Sequence, residues 1–212
     1  MNQLLGIFGG SGFAREVADI AELLGFEVRF ILPDGAVPEP LLRVEETMAE
    51  SEIGKYPAMQ FAIGIGDNNI RKKIAHRYAS TLTFATLIHP SASFGRGQRA
   101  TVEAAFGTIV CAGVRMTNNI AVGDHCIFNL NATVGHDVVI DSFVNVAPGV
   151  AISGNVHLGE CSWIGTGAAI NQGKPDAFLQ IGAGTTVGSG AVVVKDCESN
   201  AVYAGVPARR IK

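Results

Sequence analysis

A histidine and an aspartate follow each other at His136 and Asp137, in the segment VGHDVVI. Imidazole has an ordinary pKa of about 6.5, so a histidine can take a proton near neutral pH as a general base. A carboxylate beside such a base can orient the ring and stabilise its charged form. Neighbours in a regular strand point to opposite sides, so this contact requires a corner of the chain or a second chain. The alternatives are a solvated surface histidine and a turn aspartate, with Asp124 as a weaker candidate acid.

The other reactive side chains do not indicate metal or disulfide chemistry. The spacings between successive members of His125, His136 and His157 are eleven and twenty-one residues. The zinc site of a γ-carbonic anhydrase, the metal enzyme considered as an alternative, needs two zinc-binding histidines about five residues apart. We therefore predict no metal site. The four cysteines are Cys111, Cys126, Cys161 and Cys197. None belongs to a CxxC pair, so in a cytosolic chain we expect them to be reduced and buried.

The composition excludes several classes of protein. The chain has 212 residues, of which 48% are hydrophobic and 17% charged, and this describes a globular chain of one or two small domains. A net charge of −3 disfavours a general nucleic-acid binder. No apolar run is long enough for a membrane span. The N-terminus has no signal-peptide pattern, so we expect a cytoplasmic protein.

An α/β pattern predicts that residues 1–88 form a small domain with a parallel, Rossmann-like sheet. The strand LLGIFGG precedes a helix that we expect to end at Gly25. The apolar positions of that helix are Phe13, Val17, Ile20 and Leu24. A strand EVRFIL, a turn at residues 33–35, a third strand MQFAIGIG and a charged helix NNIRKKIAHRYAS complete the pattern.

A six-residue period dominates residues 89–212. The apolar positions of the period are Val122, Phe128, Val134, Ile140, Val146, Ile152, Leu158, Ile164 and Ile170. The residue four positions after each of the first eight is small or β-branched. This pattern is typical of hexapeptide repeats, which coil into a parallel β-helix and bury the apolar positions inside it. His136 comes two residues after Val134, so its side chain should point outward at a corner.

Two features interrupt the period. The step from Ile170 to Ile181 is eleven residues, so about five residues are inserted, and NQGKPD at residues 171–176 predicts a projecting loop. The tail CESNAVYAGVPARRIK breaks the period, and we expect it to cap the last coil.

The two parts together resemble the NeuD/PglD family of nucleotide-sugar acyltransferases. The segments that carry this resemblance are GGSGF, GIGDNNIRKKI, LIHPSA, VGHDVVIDSFVNVAPGV and AGVPARRI. The resemblance implies a nucleotide-sugar-binding domain at 1–88 and an acetyltransferase domain at 89–212 that is a left-handed β-helix. It also implies a homotrimer, acetyl-CoA as the co-substrate and a role in surface polysaccharide biosynthesis.

The resemblance assigns roles in the β-helix. His136 matches the catalytic base and Asp137 the acid beside it, while Gly154 matches the donor to an oxyanion. The residues that match the acetyl-CoA site are Asn145, Gly154, Gly165, Thr166 and Ser189. Asn145 stands where a relative carries a second histidine, and an amide cannot act as a base. Arg209 and Arg210 could meet the coenzyme phosphates, with solvated tail charges as the alternative.

The resemblance also places a nucleotide-sugar site in the first domain. The matching residues are Gly10, Ser11, Gly12, Phe13, Asp34, Gly66, Asp67 and Asn68. Glycines allow a backbone to approach phosphate, and a helix N-terminus attracts anions. The segment is not a full GxGxxG, which disfavours NAD, and Phe13 replaces a histidine of the family. Of the basic residues that follow, we expect only Arg71 to reach a phosphate.

With these residues, the resemblance implies direct transfer of acetyl from acetyl-CoA to the free amine, at C4 in such enzymes, of a nucleotide-linked amino-deoxy sugar. His136 is the predicted general base, and no cysteine is identifiable as an acyl carrier. Two alternatives stay open. One is an O-acetyltransferase acting on sialic acid or a related sugar, because a histidine base can serve a hydroxyl as well. The other is a non-catalytic β-helix that binds nucleotide-sugars.

Overall fold

The N-terminal part is a parallel sheet with two helices. The computed structural model describes residues 3–212, apart from the side chain of Val44. The strands are β1 Gln3–Phe8, β2 Phe26–Leu32, β3 Thr47–Ala49 and β4 Gln60–Ile63, and the helices are α1 Gly12–Leu23 and α2 Asn68–Tyr78. The strands are all parallel, in the order β3-β2-β1-β4. Short 3-10 helices at Val44–Glu46 and Glu50–Lys55 flank β3.

The predicted α/β pattern is confirmed, with two corrections. Val17 and Ile20 are buried against the sheet as expected, but Leu24 is exposed because α1 ends one residue before it. Gly25 ends the helix with φ +87°, a conformation that glycine adopts without strain. The strand at residues 47–49 was not predicted, because three residues carry too little periodicity to be recognised.

The chain from Leu87 onward winds into a parallel β-helix with three faces. Face 1 contains β5 Leu87–Ile88, β7 Ile109–Val110, β10 Ile127–Phe128, β13 Asn145–Val146, β16 Trp163–Ile164, β19 Thr186–Val187 and β21 Val202–Ala204. Face 2 contains β6 Ser93–Phe94, β8 Arg115–Met116, β11 Thr133–Val134, β14 Ala151–Ile152, β17 Ala169–Ile170 and β20 Val192–Val193. Face 3 contains β9 Ala121–Val122, β12 Val139–Ile140, β15 Val156–Leu158 and β18 Leu179–Ile181.

The hexapeptide register is confirmed position by position. Eight of the nine predicted apolar residues are buried in one continuous core, and Val122 packs partly buried against it. The small residues of the register are fully buried as well, among them Ala132 and Ala168. Strands of a face pair one full coil apart, as Ile127 pairs with Asn145. Each short strand thus buries one inward side chain and leaves its neighbour outward.

The corners between the faces use left-handed backbone at every sixth residue. At the corner between faces 2 and 3 these residues are Asn119, Asp137 and Asn155, with φ of 55°, 56° and 56°. Asparagine, aspartate and glycine tolerate this conformation best, since a short polar side chain can hydrogen-bond locally. Because the backbone turns at such a residue, the side chains next to it do not alternate between two sides as they do in a strand.

The boundaries of the predicted domains stay a prediction, although β5 at Leu87–Ile88 already pairs with β7 on face 1.

The two interruptions of the period lie where they were predicted. The inserted loop leaves the coil after β17 and rejoins it at β18, and the N–H of Leu179 donates to Asn155 O at 3.0 Å. The tail forms β21 and then β22, Arg209–Arg210, which runs antiparallel to β21 and covers the edge of face 1. At the other end lies a third helix, α3, Gln98–Glu103, where Gln98 Nε2 donates to Ile120 O at 2.8 Å.

Arg71 joins the two parts of the molecule. Its side chain is fully buried, and Nε donates to His125 O at 2.8 Å while Nη2 donates to Phe143 O at 2.9 Å. Nη1 donates to Gly66 O at 2.9 Å in the N-terminal part. The expectation that Arg71 reaches a phosphate is therefore wrong, because carbonyl groups take up its donors.

The four cysteines form no disulfide. Cys111, Cys126 and Cys197 are buried as expected, whereas Cys161 is only partly buried because it lies at a corner facing the N-terminal part. Burial raises the pKa of the Cys111 thiol to about 12, which makes it a poor nucleophile. Among the helices of residues 3–212, none has the length and apolar character needed to cross a membrane.

Candidate active site

His136 and Asp137 meet at the corner between faces 2 and 3. Asp137 occupies the left-handed position of the corner, and this conformation turns its carboxylate back toward the preceding ring. His136 Nδ1 and Asp137 Oδ2 are 2.6 Å apart, and the two side chains are 49% and 39% exposed. The contact that a regular strand forbids is therefore made within one chain by the corner.

The hydrogen bond determines which ring nitrogen can act. An ionised carboxylate only accepts hydrogen bonds, so Nδ1 of His136 carries the proton and donates to Asp137. In the neutral ring Nε2 is then unprotonated, and within residues 3–212 it makes no hydrogen bond. A free basic nitrogen on a half-exposed ring is the arrangement that a general base requires.

The neighbouring coils hold the pair from both sides. The N–H of Asp137 donates to Asn118 O at 3.3 Å, and the N–H of Asn155 donates to His136 O at 3.1 Å. The imidazole rests on the Cα of Gly154, where an added Cβ would lie 2.6 Å from Cε1 and 2.8 Å from Nε2. Only glycine fits beneath the ring in this position.

Gly154 also offers a hydrogen-bond donor beside the base. Gly154 is buried, and its backbone N–H donates to no acceptor within the described residues 3–212. A buried N–H is rarely left without a partner. This donor is available to a negatively charged oxygen that develops next to His136.

Asp137 has a second hydrogen-bond partner that the residue types alone do not indicate. Asn119 Nδ2 donates a short hydrogen bond to Asp137 Oδ1. The hydrogen bond from Asn119 is the largest cause, and that from His136 the second, of a pKa of Asp137 that lies below its ordinary value. The carboxylate therefore stays ionised across the neutral range. The available signal was spacing, since Asn119 precedes Asp137 by one full coil.

A cavity of about 350 Å³ adjoins this corner. The polar residues in its lining are Asn119, Asp137 and Asn155, and the apolar ones are Ala121, Val138, Val139 and, from the inserted loop, Pro175 and Phe178. The loop thus adds an apolar wall beside an otherwise convex corner.

The predicted acetyl-CoA residues fall into two groups. Gly154 lies at the corner of His136, whereas Gly165, Thr166 and Ser189 follow strands of face 1. These three lie together, since an added Cβ on Gly165 would lie 2.6 Å from Ser189 N, and both Thr166 and Ser189 are exposed. Asn145 lies apart from His136, buried in β13 on face 1, and its Nδ2 donates to Gly66 O at 3.1 Å.

The predicted nucleotide-sugar residues gather at the carboxyl ends of β1, β2 and β4. Gly10, Ser11, Gly12 and Phe13 follow β1, Asp34 follows β2, and Gly66, Asp67 and Asn68 follow β4. Parallel strands place these ends at one edge, where open α/β sheets bind ligands. Ser11 is the N-cap of α1 with no hydrogen bond from its side chain to the helix.

Several of these side chains already have partners. Asp67 caps α2 by accepting from Ile70 N at 2.9 Å, and Asp34 accepts from Ser51 N at 3.1 Å. Asn68 is buried, and its amide donates to Cys161 O at 2.9 Å and Ser162 O at 3.0 Å. Its amide hydrogens therefore join the two parts of the molecule. Within residues 3–212, no cluster of His, Cys, Asp and Glu side chains could hold a metal.

Comparisons with known proteins agree with this architecture. Residues 4–78 match the model of the PglD N-terminal domain. The chain is 28% identical to GDP-perosamine N-acetyltransferase of Escherichia coli O157:H7, over 99% of this chain and 96% of that protein.

Solved structures extend the likeness over the whole fold. PerB from Caulobacter crescentus, in complex with CoA and GDP-perosamine, has a TM-score of 0.85 and 29% identity over 98% of this chain and 97% of that one. The acetyltransferase domain of PglB from Neisseria gonorrhoeae FA1090, in complex with acetyl coenzyme A, has a TM-score of 0.84 and 28% identity, covering 100% of both chains. The predicted left-handed β-helix is thus confirmed. With the N-terminal match, these likenesses support the predicted resemblance to the NeuD/PglD family of nucleotide-sugar acyltransferases.

Proposed function

We propose that the protein is an acetyl-CoA-dependent N-acetyltransferase acting on the free amine of a nucleotide-linked amino-deoxy sugar. The observation that carries the proposal is the pair at the corner of faces 2 and 3. Asp137 holds Nδ1 of His136 at 2.6 Å and leaves Nε2 free to take a proton. The relatives that bind or act on GDP-perosamine support the class of substrate.

The reaction follows from the donors and acceptors at this corner. The sugar amine attacks the thioester carbon of acetyl-CoA, and His136 Nε2 removes the proton of the attacking nitrogen as the C–N bond forms. The carbonyl oxygen becomes an oxyanion, which the N–H of Gly154 can stabilise. When the C–S bond breaks, the coenzyme A thiolate takes the proton back from the imidazolium. The products are the acetamido sugar and free coenzyme A.

The two substrates need different parts of the molecule. The edge formed by the ends of β1, β2 and β4 is our proposed site for the nucleotide, with Gly10, Ser11 and Asp34 as candidate contacts. The exposed side chains Thr166 and Ser189, with Gly165 between the coils, are our proposed path for the coenzyme. Asn145 is buried against Gly66, so we propose that it acts by holding the loop after β4.

We further propose that the enzyme works as a cytoplasmic homotrimer in surface polysaccharide biosynthesis. The half-exposed pair lies on a convex corner, and a convex surface cannot enclose a substrate without a second wall. A neighbouring subunit would supply that wall. Dissociated monomers should then bind nucleotide-sugar but show no acetyl transfer, which sedimentation combined with an activity assay would test.

The experiment that tests the function is a thiol-release assay with acetyl-CoA and a panel of acceptors. The panel contains UDP-, GDP- and dTDP-linked 4-amino-4,6-dideoxy sugars, with GDP-perosamine among them, and sialic acid as an acceptor without a free amine. We expect turnover on one amino sugar and a loss of at least about a hundredfold in His136→Ala, the usual size of general-base effects.

The outcomes separate the three functions. Turnover with sialic acid alone would support the O-acetyltransferase instead. Binding of a nucleotide-sugar with no thiol release from any acceptor would support a non-catalytic binding protein. An amino-sugar activity that His136→Ala leaves intact would show that another group is the base.

A further inference from the structure

The carboxylate of Asp137 is held at both of its oxygens. Oδ2 accepts from His136 Nδ1 at 2.6 Å, and Oδ1 accepts the hydrogen bond from Asn119 Nδ2. Asn119 occupies the same corner one coil earlier, with φ 55° against 56° for Asp137. The two side chains therefore project in parallel from equivalent positions of adjacent coils.

A single contact would not fix such a carboxylate. The last torsion of an aspartate is broad, so a half-exposed carboxylate can rotate about its bond to Cβ. Its side chain is 39% exposed, and water would compete for Oδ2 whenever the group rotates. A second hydrogen bond to Oδ1 removes that rotation and keeps Oδ2 facing the imidazole.

We propose that Asn119 is a positioning residue of the acetyl-transfer site, acting through Asp137 to keep the proton of His136 on Nδ1 and Nε2 free. This inference rests on the proposed function. Asn119 Nδ2 is the donor because the carboxylate offers only acceptors. In metal sites, changing the groups that orient a ligating histidine typically costs about 10- to 100-fold in affinity or activity, and we expect an effect of this kind at Asn119.

The left-handed corner allows substitutions that separate positioning from folding. Asn119→Gly keeps a residue suited to φ 55° and removes the amide. Asn119→Asp keeps the shape and the tolerance of left-handed backbone but replaces the donor with a second negative charge beside Asp137. A purely structural role at the corner would make Asp equivalent to Asn. A positioning role makes Asp at least as harmful as Gly.

Asn131 provides the matched control. It has φ 57° at the corner between faces 1 and 2, and its exposed side chain makes no contact with the His136 pair. Asn131→Gly and Asn131→Asp therefore report what the same changes do to a left-handed corner alone.

The experiment measures kcat, KM and the low-field proton signal of the His136 Nδ1–H in the full-length protein. For Asn119→Gly we expect a fall in kcat of about tenfold with little change in either KM, and for Asn119→Asp a fall at least as large. The low-field signal, assigned by its absence in His136→Ala, should broaden or disappear in both variants. The Asn131 variants should keep both kcat and the signal.

Each result decides the inference. Wild-type kcat and an unchanged Nδ1–H signal in Asn119→Asp would overturn it, as would equal losses in the Asn131 variants. The proton signal needs no substrate, so it tests the positioning of His136 even when no acceptor is turned over. If the wild type turned over no acceptor, this would count against the proposed function. The Nδ1–H signal of the Asn119 variants would then still test whether Asn119 positions His136.

Discussion

At the scale of single residues, the proposed chemistry depends on which nitrogen of His136 remains free. The ordinary pKa of imidazole makes the residue type suitable, but the tautomer is set by Asp137 at 2.6 Å from Nδ1. Asn145 lies on a different face, and its Nδ2 donates to Gly66 O. Of these two positions, His136 is therefore our candidate for the acid–base chemistry.

Gly154 gives a prediction at this scale. In Gly154→Ala the new methyl group would lie 2.6 Å from Cε1 of His136, so the ring must move. Displacing a catalytic group by about 1 Å can cost about a hundredfold in rate. We expect Gly154→Ala to lower kcat by about 10- to 100-fold, measured by thiol release, while nucleotide-sugar binding stays unchanged.

Gly54→Ala is the control for this prediction. An added Cβ at Gly54 meets no atom within 4 Å, and the residue lies in the 3-10 helix of the N-terminal part. Its kcat should equal that of the wild type. Full activity of Gly154→Ala would show that the position of the His136 ring against Gly154 is not required for activity.

At the scale of elements, the corners carry more information than the strands. The sequence period predicted the inward positions, because each strand has only one side chain that the core must accept. The same period runs through the left-handed positions, where Asn119, Asp137 and Asn155 recur one coil apart. This second pattern could have predicted the contact between Asn119 and Asp137. Contacts between the β-helix and the N-terminal part follow no such period, so the sequence pattern could not predict them.

The corner between faces 3 and 1 holds a buried histidine. His125 stacks on Phe143 of the next coil with ring centres 5.2 Å apart, and Phe84 meets it edge-on at 5.0 Å. Burial is the main cause that lowers the pKa of His125 to about 4. The ring is therefore neutral in the folded protein throughout the neutral range.

This histidine predicts a pH dependence of stability. Unfolded, His125 takes a proton near its ordinary pKa of 6.5, whereas folded it does so only near 4. Between these values the unfolded chain binds more protons, so the free energy of unfolding falls as the pH falls, by about 3 kcal/mol in total. Above pH 6.5 the contribution is constant.

The measurement is the free energy of unfolding at about pH 7 and about pH 4.5, for the wild type and His125→Asn. Asparagine suits the left-handed corner at φ 55°. The loss of stability between the two pH values should be smaller in His125→Asn, whereas His89→Asn, at an unrelated histidine, should follow the wild type. Equal losses in all three proteins would refute a neutral buried His125.

At the scale of the whole molecule, Arg71 joins the sheet to the β-helix. Its guanidinium reaches carbonyl groups on both sides, including Gly66 O at 2.9 Å and Phe143 O at 2.9 Å. Burial lowers its pKa to about 10, so it stays charged at neutral pH. This fixed geometry sets the position of the sheet edge formed by the ends of β1, β2 and β4 relative to the β-helix.

Arg71→Lys tests this role. Lysine lacks the planar set of donors, so several buried carbonyl groups would lose their partners at about 1–3 kcal/mol each. We expect the melting temperature to fall by at least about 6 °C, with proteolysis between the two parts becoming faster. Arg77→Lys on the same helix, where the exposed Arg77 pairs with Glu50 at 2.9 Å, should change little. Equal stability of both variants would contradict the role of Arg71 as the joint.

The sequence could not reveal this joint. Arg71 belongs to a run of basic residues that resembles a solvated helix face, and its partners are 54 and 72 residues away along the chain. Both of these partners are backbone oxygens, which every residue type has, so the sequence carries no sign of them. The fold and the pairing of His136 with Asp137 follow from local patterns, whereas the contact between the two parts of the molecule depends on packing across it.

The antiparallel strand β22 has a consequence for solubility. A parallel β-helix ends in a row of unpaired backbone groups, which is a template for a strand of another molecule. In this chain β22 pairs with β21 through Tyr203 and Ala204 and places the charged Arg209 and Arg210 along that edge. A variant without β22 would expose an open edge on face 1, and coils of separate molecules could then stack end to end into fibres.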